Sequence, residues 1–397
     1  MGFAEVVADA GWCWFADPRA LYANGRIFFG HSDTLGRVWI TEVDVASGCR
    51  RRVLLADNTQ VDDHGNPTLA IRGGKVCVFH ATHQGTMMRY WVSTSVGTIA
   101  DGFGPATVAA AGNTTGTHGF TYPSPAQMSS TGILHLLWRG GNFQPAWARS
   151  SSLGNNTWTP AQHLFSVPGD DRPYVKVMPD GDSLIHMVLT NGHPSSLVTS
   201  LYYACWDVSD GIIRRANGST IASIGSAPIP VSSLERVWDG PTQGRSWPWD
   251  LQLDDAGHPH GTFAKLNSRA DHEYRSIRWD GTAWQTAYIC AAGGTIAQDT
   301  EQYYSGGVVL DPLDLSTVAV SRPASPDRLH RIERWSTADA GVTWDQAAVV
   351  SDDAAQNVRP YYVRDAPAGM AWRLLWLRGT YGSFVDWSLR LVGETTG

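Results

Sequence analysis

Seven times along the chain, an aromatic residue, a histidine or an arginine, often beside a proline, opens a short strand-like run, and a Gly or Asp turn then leads to a second, strongly apolar run. The openings are GWCWFADPRALYANG, DDHGNPTLAIRGG, HGFTYPSPAQMSSTG, DDRPYVKVMPDGD, RSWPWDLQLDDAG, EQYYSGGVVLDP and NVRPYYVRDAPAG. With Trp14, His64, Tyr122, Arg172, Trp247, Tyr304 and Arg359 as markers, successive copies lie 50, 58, 50, 75, 57 and 55 residues apart. That is the period of a four-stranded propeller blade with loops of variable length. Second runs such as GRIFFGHSD and KVCVFHATH follow in step, and third runs of alternating type, such as RVWITEVD and EYRSIRWD, come after them.

The chain ends on VDWSLRLVG, a third run without a fourth, and begins with FAEVVADA, a run that precedes the first opening. Together they complete one blade, and closing the ring this way removes an exposed sheet edge that would otherwise aggregate. The expectation is an all-β chain, one seven-bladed β-propeller domain over residues 1–397 with the ring closed by strands from both termini. Composition agrees: 41 Gly, 21 Pro and 18 Trp against 17% charged residues suit short strands joined by tight turns.

A net charge of -7 gives no global field for nucleic acid or an anionic membrane. No apolar stretch approaches the roughly 20 residues of a membrane span, and the N-terminus lacks a basic region followed by an apolar one. A secreted or virion-associated protein is expected, with the cytoplasm left open, and a closed propeller gives no reason to require more than a monomer. Five cysteines, odd in number and without a C-x-x-C pair, argue against a disulfide framework.

In a propeller the innermost strand runs from one rim to the other and the second returns, so first-strand starts and second-strand ends share a face. His64 and His83 are therefore expected to be neighbours. The same rule gathers Trp14, Tyr122, Arg172, Tyr174, Trp247, Trp249, Tyr303, Tyr304, Arg359 and Tyr361 with His31, Arg139, Asn191, His193, Lys265, Asn267, Arg322 and Arg378. Rings and cations around one mouth suit an anionic sugar, since aromatic faces stack on pyranose rings while Arg and His meet carboxylate or sulfate. Taken singly, an Arg or Tyr at a strand end usually packs its stem or caps a loop. His80, His135 and His186 read as structural, and His258 and His260 as turn histidines.

The segment STADAGVTW, residues 336–344, resembles the Asp-box or BNR repeat, a structural turn, and SLGNNTWTP and WDGTAW look like degenerate cousins. With DDHGNPTLAI, FHATHQ, TYPSP, LLWRGG, RPYVKV, TNGHP and DHEYRSIRWDG, the chain resembles, over nearly its whole length, the BNR-type seven-bladed propellers that include the ulvan lyases and related uronate-specific polysaccharide lyases. The resemblance implies an active site of His64, His83, Tyr122 and Arg139, with Tyr174 a further contact to substrate. Arg172, Trp247, Tyr304 and Arg359 join the expected substrate-binding set from their place at the mouth.

The residue types suit β-elimination, in which a cation neutralises the uronate carboxylate, a base takes the C5 proton and an acid protonates the leaving O4. Tyr122 and His64 are assigned as the acid/base pair, His83 and Arg139 as carboxylate binders. No cofactor is needed for this chemistry. His193, Cys205 and His272 form a His/Cys/His set suited to Zn²⁺, and the resemblance implies a metal, Zn²⁺ or Ca²⁺, in a structural role. Hydrolysis needs a carboxylate pair, for which the mouth offers Asp62, Asp63, Asp170, Asp171 and Asp250. A sialidase would need an arginine triad, imitated here by Arg172, Arg322 and Arg359. A non-catalytic carbohydrate-binding or phage tail receptor-binding propeller is the main rival. A WD-type scaffold is disfavoured because no Gly-His…Trp-Asp signature recurs.

Overall fold

The computed structural model describes residues 2–110, 118–152, 157–169, 171–225 and 227–395. Seven antiparallel sheets form the blades of a propeller. Their innermost strands are Ala20–Ala23, Thr68–Arg72, Thr121–Gln127, Val175–Pro179, Ser246–Leu253, Val308–Asp311 and Gln356–Tyr362. The seven opening motifs thus deliver one inner strand apiece.

Blade 7 is completed as expected: Gly2–Val7 pairs with Asp386–Thr395, in register from Gly2 opposite Thr395 to Val7 opposite Leu391. The longest marker spacing, from Arg172 to Trp247, reflects extra strands on blade 4. There Ile212–Arg214 and Thr220–Ser223 extend the sheet, and Glu235–Trp238 pairs with the third strand, Leu201–Asp207.

Second strands are sandwiched between neighbouring blades, so both faces are covered. Leu134–Arg139 is buried throughout, whereas the outermost strand of blade 1, Arg50–Ala56, is largely open to solvent. This explains the near-continuous apolar runs in the second position of each repeat. Apolar clusters fill the wedges between blades, for example Phe28, Ile40, Leu69 and Val78 between blades 1 and 2.

The central channel is filled by the segment that links the closing strand to blade 1. Trp12, Trp14 and Phe15 are buried there, with Trp14 stacked on Trp249 at 4.4 Å between ring centroids. Trp14 Nε1 donates to the Pro248 carbonyl at 3.2 Å and Trp12 Nε1 to that of Arg359 at 3.2 Å. Further along, Lys176 is buried against the Asp17 carboxylate and the Trp14 carbonyl, and Arg19 Nε meets Asp17 at 3.0 Å. Each of these buried charges thus meets an opposite charge.

Residues 337–344 make the turn between the third and fourth strands of blade 6, where the Asp339 carboxylate accepts from the Val342 and Thr343 amides and Trp344 is buried. Part of SLGNNTWTP falls outside the described residues. Among those described, no helix is long and apolar enough to cross a membrane.

Candidate active site

The acidic pair before His64 caps a single turn. Asp63–Gly65 is a 3₁₀ turn whose N-cap is Asp62, the Oδ1 of which accepts from the His64 amide at 2.9 Å. The same carboxylate holds two imidazoles: His64 Nδ1 lies 2.6 Å from Oδ1, and His83 Nδ1, on the hairpin after the second strand of blade 2, lies 2.7 Å from Oδ2. The rings stack at 4.2 Å with 17° between planes, and Phe384 of blade 7 packs edge-on against both.

A carboxylate only accepts, so each Nδ1 donates its proton to Asp62, and the ring atom left to face the site is Nε2. The two rings differ in what meets that atom. His64 Nε2 accepts from Tyr304 Oη at 3.1 Å, whereas no hydrogen bond engages His83 Nε2 among the described residues. His83 is also the more open ring, 11% exposed against 4% for His64. Burial and the neighbouring His64 hold His83 down to about 4, against the pull of Asp62. Burial works to raise Asp62, but the two histidines outweigh it and keep the carboxylate ionised well below its usual range.

Blade 3 supplies the next wall. Tyr122 sits in the inner strand at φ 58°, where the pairing register shifts between Thr121 and Ser124. A bulky residue in the left-handed region is strained, and such residues concentrate at functional sites. Its hydroxyl is buried and has no hydrogen-bond partner among the described residues. Burial, with Tyr174 beside it, pushes its pKa well above the normal value, so it stays protonated. Arg139, at the end of the second strand, lies over the Tyr122 ring at 4.8 Å and donates to Thr121 Oγ1 (3.0 Å), the Gly119 carbonyl (3.3 Å) and Tyr174 Oη (3.4 Å). His64, His83, Tyr122, Arg139 and Tyr174 are thus brought into one cluster.

The outer substrate set divides. Arg172 is half-buried over Phe143 at 5.1 Å and makes no ion pair among the described residues. His193 packs against Tyr174 and Trp247 at 5.5 and 5.2 Å. Tyr304 faces His64, as described. Arg359 is a correction: at 0% exposure it points inward, with Nη1 2.6 Å from Asp63 Oδ2 and Nη2 2.6 Å from Tyr381 Oη. Its φ of 55° at a bulge swings it off the face that strand alternation assigns. Burial disfavours the cation, but Asp63 and Tyr381 outweigh that and hold it charged, its pKa above the ordinary arginine value. Trp247 is corrected likewise: it lies in the channel core among Trp14, Phe15, Tyr174 and Tyr304, closed to a ligand by packing. An arginine triad of Arg172, Arg322 and Arg359 is not available, because Arg359 is neutralised inside by Asp63.

His193, Cys205 and His272 are not brought together. Cys205 lies in an apolar cluster between blades 4 and 5 near His186, while His272 Nδ1 meets Ser305 Oγ at 2.9 Å and its Nε2 the Gln302 carbonyl at 3.2 Å. Two other groups, Cys13/Asp63/His64 and Asp62/His64/His83, each place three donor atoms within 4.8 Å. Asp63 already neutralises Arg359 and Asp62 already holds both Nδ1 protons, so these donors suit proton sharing better than cation binding.

Among the hydrolase carboxylates, Asp62 and Asp63 are consumed by these partners. Asp250 accepts from the Leu251 and Leu310 amides at 2.9 Å, and Asp170 lies outside the described residues. His80, His135 and His186 sit inside the blades, His135 stacked on Trp147 and His186 bonded to Tyr203. Missing from the sequence reading were the bridging role of Asp62, the Asp63 ion pair, and Tyr381 and Phe384. The adjacent acids in DDHG were the one available signal for the first two.

Two solved structures align over 99% of this chain and 96% of theirs. They are a polysaccharide lyase, the PL25 ulvan lyase, at TM-score 0.72 and 16% identity, and the same type bound to -[GlcA(1-4)Rha3S]- at 0.71 and 15%. At such identity the likeness is one of fold. A family-43 glycoside hydrolase aligns with 72% of this chain and 94% of its own at TM-score 0.38 and 11% identity, too low to carry weight. A search of curated proteins finds no match. Residues 26–291, two thirds of the chain, match the BNR repeat-containing family, and the protein is a member of that family.

Proposed function

We propose that the protein is a polysaccharide lyase that cleaves a uronate-containing chain by β-elimination. The observation that carries this reading is the pairing of two Nδ1-protonated imidazoles on Asp62 with a protonated Tyr122, unpartnered among the described residues, and the Arg139 cation. The fold shared with ulvan lyases supports it. A neutral imidazole with a free Nε2 is a base, and a buried phenol that keeps its proton is an acid.

In this reading Arg139 faces the uronate carboxylate and makes the C5 proton acidic. His83 Nε2 takes that proton, the C5–H electron pair becomes the C4=C5 double bond, and the C4–O4 bond breaks as Tyr122 gives its proton to O4. The imidazolium then returns its proton to solvent and Tyr122 regains one. The roles of the two histidines differ from the sequence-based assignment because Tyr304 occupies His64 Nε2; His64 becomes the partner that holds the stacked pair.

The test is absorbance of the 4,5-unsaturated product during incubation with ulvan, glucuronan, heparin-type chains and plant gum. Signal with wild type that is lost in His83→Ala and Tyr122→Phe supports the reading. Reducing sugar without that absorbance would replace it with hydrolysis, and binding without any product with a carbohydrate-binding role.

A further inference from the structure

A second cationic feature lies on the face that carries His83. The hairpins joining second to third strands share that rim in every blade. Those of blade 5, around Ser268–Asp271, and blade 6, between Pro323 and His330, enclose a cavity of about 610 Å³. Arg269, Arg322 and Arg328 line it, with His330 and Gln356, and among the described residues no carboxylate does.

Each guanidinium is held from behind. Arg269 donates to the carbonyls of Ala297 (2.9 Å) and Glu301 (3.1 Å) and, among the described residues, makes no ion pair. Arg322 donates to the Ala291 carbonyl at 2.8 Å and meets Glu333 at 3.2 Å, but Glu333 is shared with Arg331 at 2.7 Å, so one buried carboxylate faces two cations. Arg328 pairs with Asp353 at 2.8 Å. His330 is buried, its Nδ1 3.1 Å from Gln356 Oε1. In a chain of net charge -7 this is a local excess of positive charge around a space of sugar size.

The cavity shares a wall with the candidate active site. Residues 294–305 separate them: Tyr304 meets His64 on one side, and Arg269 grips the backbone of Ala297 and Glu301 on the other. We propose that this cavity is a second anion-binding site, taking a carboxylate or sulfate group of a sugar chain whose cleavable linkage lies at His83. The inference rests on the proposed function for its class of ligand, though not for the reaction.

The experiment compares binding of an ulvan disaccharide and an ulvan octasaccharide by titration calorimetry, in a His83→Ala background that leaves the ligand uncut. Adding Arg269→Gln and Arg328→Gln is expected to weaken the octasaccharide about tenfold, for charge-assisted hydrogen bonds removed, and to leave the disaccharide unchanged. Arg269→Lys with Arg328→Lys is expected to recover most of the loss. Should the glutamine pair fold poorly, Arg328→Gln alone, on an exposed side chain, is expected to give a loss of about threefold. Equal octasaccharide affinity in all variants overturns the proposal, as does an equal loss for both ligands. If no polymer yields unsaturated product yet the length-dependent loss is found, the lyase reading fails and the anion site stands.

Discussion

His64 and His83 lie face to face, 4.2 Å apart, each donating its Nδ1 proton to a different oxygen of Asp62. One carboxylate thus fixes the tautomers of both rings. In Asp62→Asn one of the two Nδ1 protons loses its acceptor and that ring is free to invert its tautomer. Product formation is expected to fall at least about a hundredfold, with the melting temperature within a few degrees of wild type. Turnover followed by absorbance, beside a thermal scan, checks this; activity within threefold would sink the idea.

Acid lability follows from the buried histidines. His80, His83, His135, His186, His272 and His330 are held down to about 4, and His31 and His193 to about 3, chiefly by burial. In the unfolded chain each takes its proton near 6.5, so between there and 4 the unfolded state binds more protons than the folded one. Stability is fully present above pH 6.5 and is lost as pH falls toward 4. The melting temperature at pH 5 is expected at least about 10 °C below that at pH 7.5. A flat profile would mean these rings titrate normally.

Arg359 and Asp63 test the reassignment of an expected surface cation to the interior. Asp63→Asn leaves a buried guanidinium uncompensated and is expected to cost about 3–5 kcal/mol in urea unfolding. Tyr381→Phe, which removes one hydroxyl from the same cluster, is expected to cost about 1–3 kcal/mol. Were Arg359 a ligand residue instead, Asp63→Asn would alter binding with little effect on unfolding.

Trp14 is the side chain around which the channel closes, touching Trp249, Trp247 and Tyr304. Trp14→Ala is expected to cost about 3–5 kcal/mol. Because the Tyr304 ring loses its backing, the variant is also expected to lose activity in excess of its unfolded fraction, measured at a temperature where it remains folded.

The ring was legible because each blade repeats the same alternation of turn and apolar strand, and the register of a strand follows from that pattern. The proximity of His64 and His83 followed from the same rule, since one begins an inner strand and the other ends the neighbouring return. The rule failed where the backbone leaves the pattern. Arg359 sits at a bulge with positive φ, so counting alternate residues put it on the wrong side. Cys205 is in the middle of a third strand, where the side chain points between blades whatever its neighbours in sequence, and His272 is capped locally by Ser305. The partners contributed by Tyr381 and Phe384 come from the far end of the chain and carry no signature of their own.

The strand Gly2–Val7 is the first part of the fold to leave the ribosome and pairs with Asp386–Thr395, the last. Immediately behind it, residues 11–18 fill the axis on which every inner strand converges. During synthesis neither segment has all its native partners until the last blade is made, so the edge of Gly2–Val7 stays unpaired until then. The site is subject to the same delay, because Phe384 and Tyr381 of the last blade close over His64 and Asp63 of the second. A chain that stalls one blade short therefore has six sheets but lacks the Phe384 and Tyr381 rings that close over His64 and Asp63.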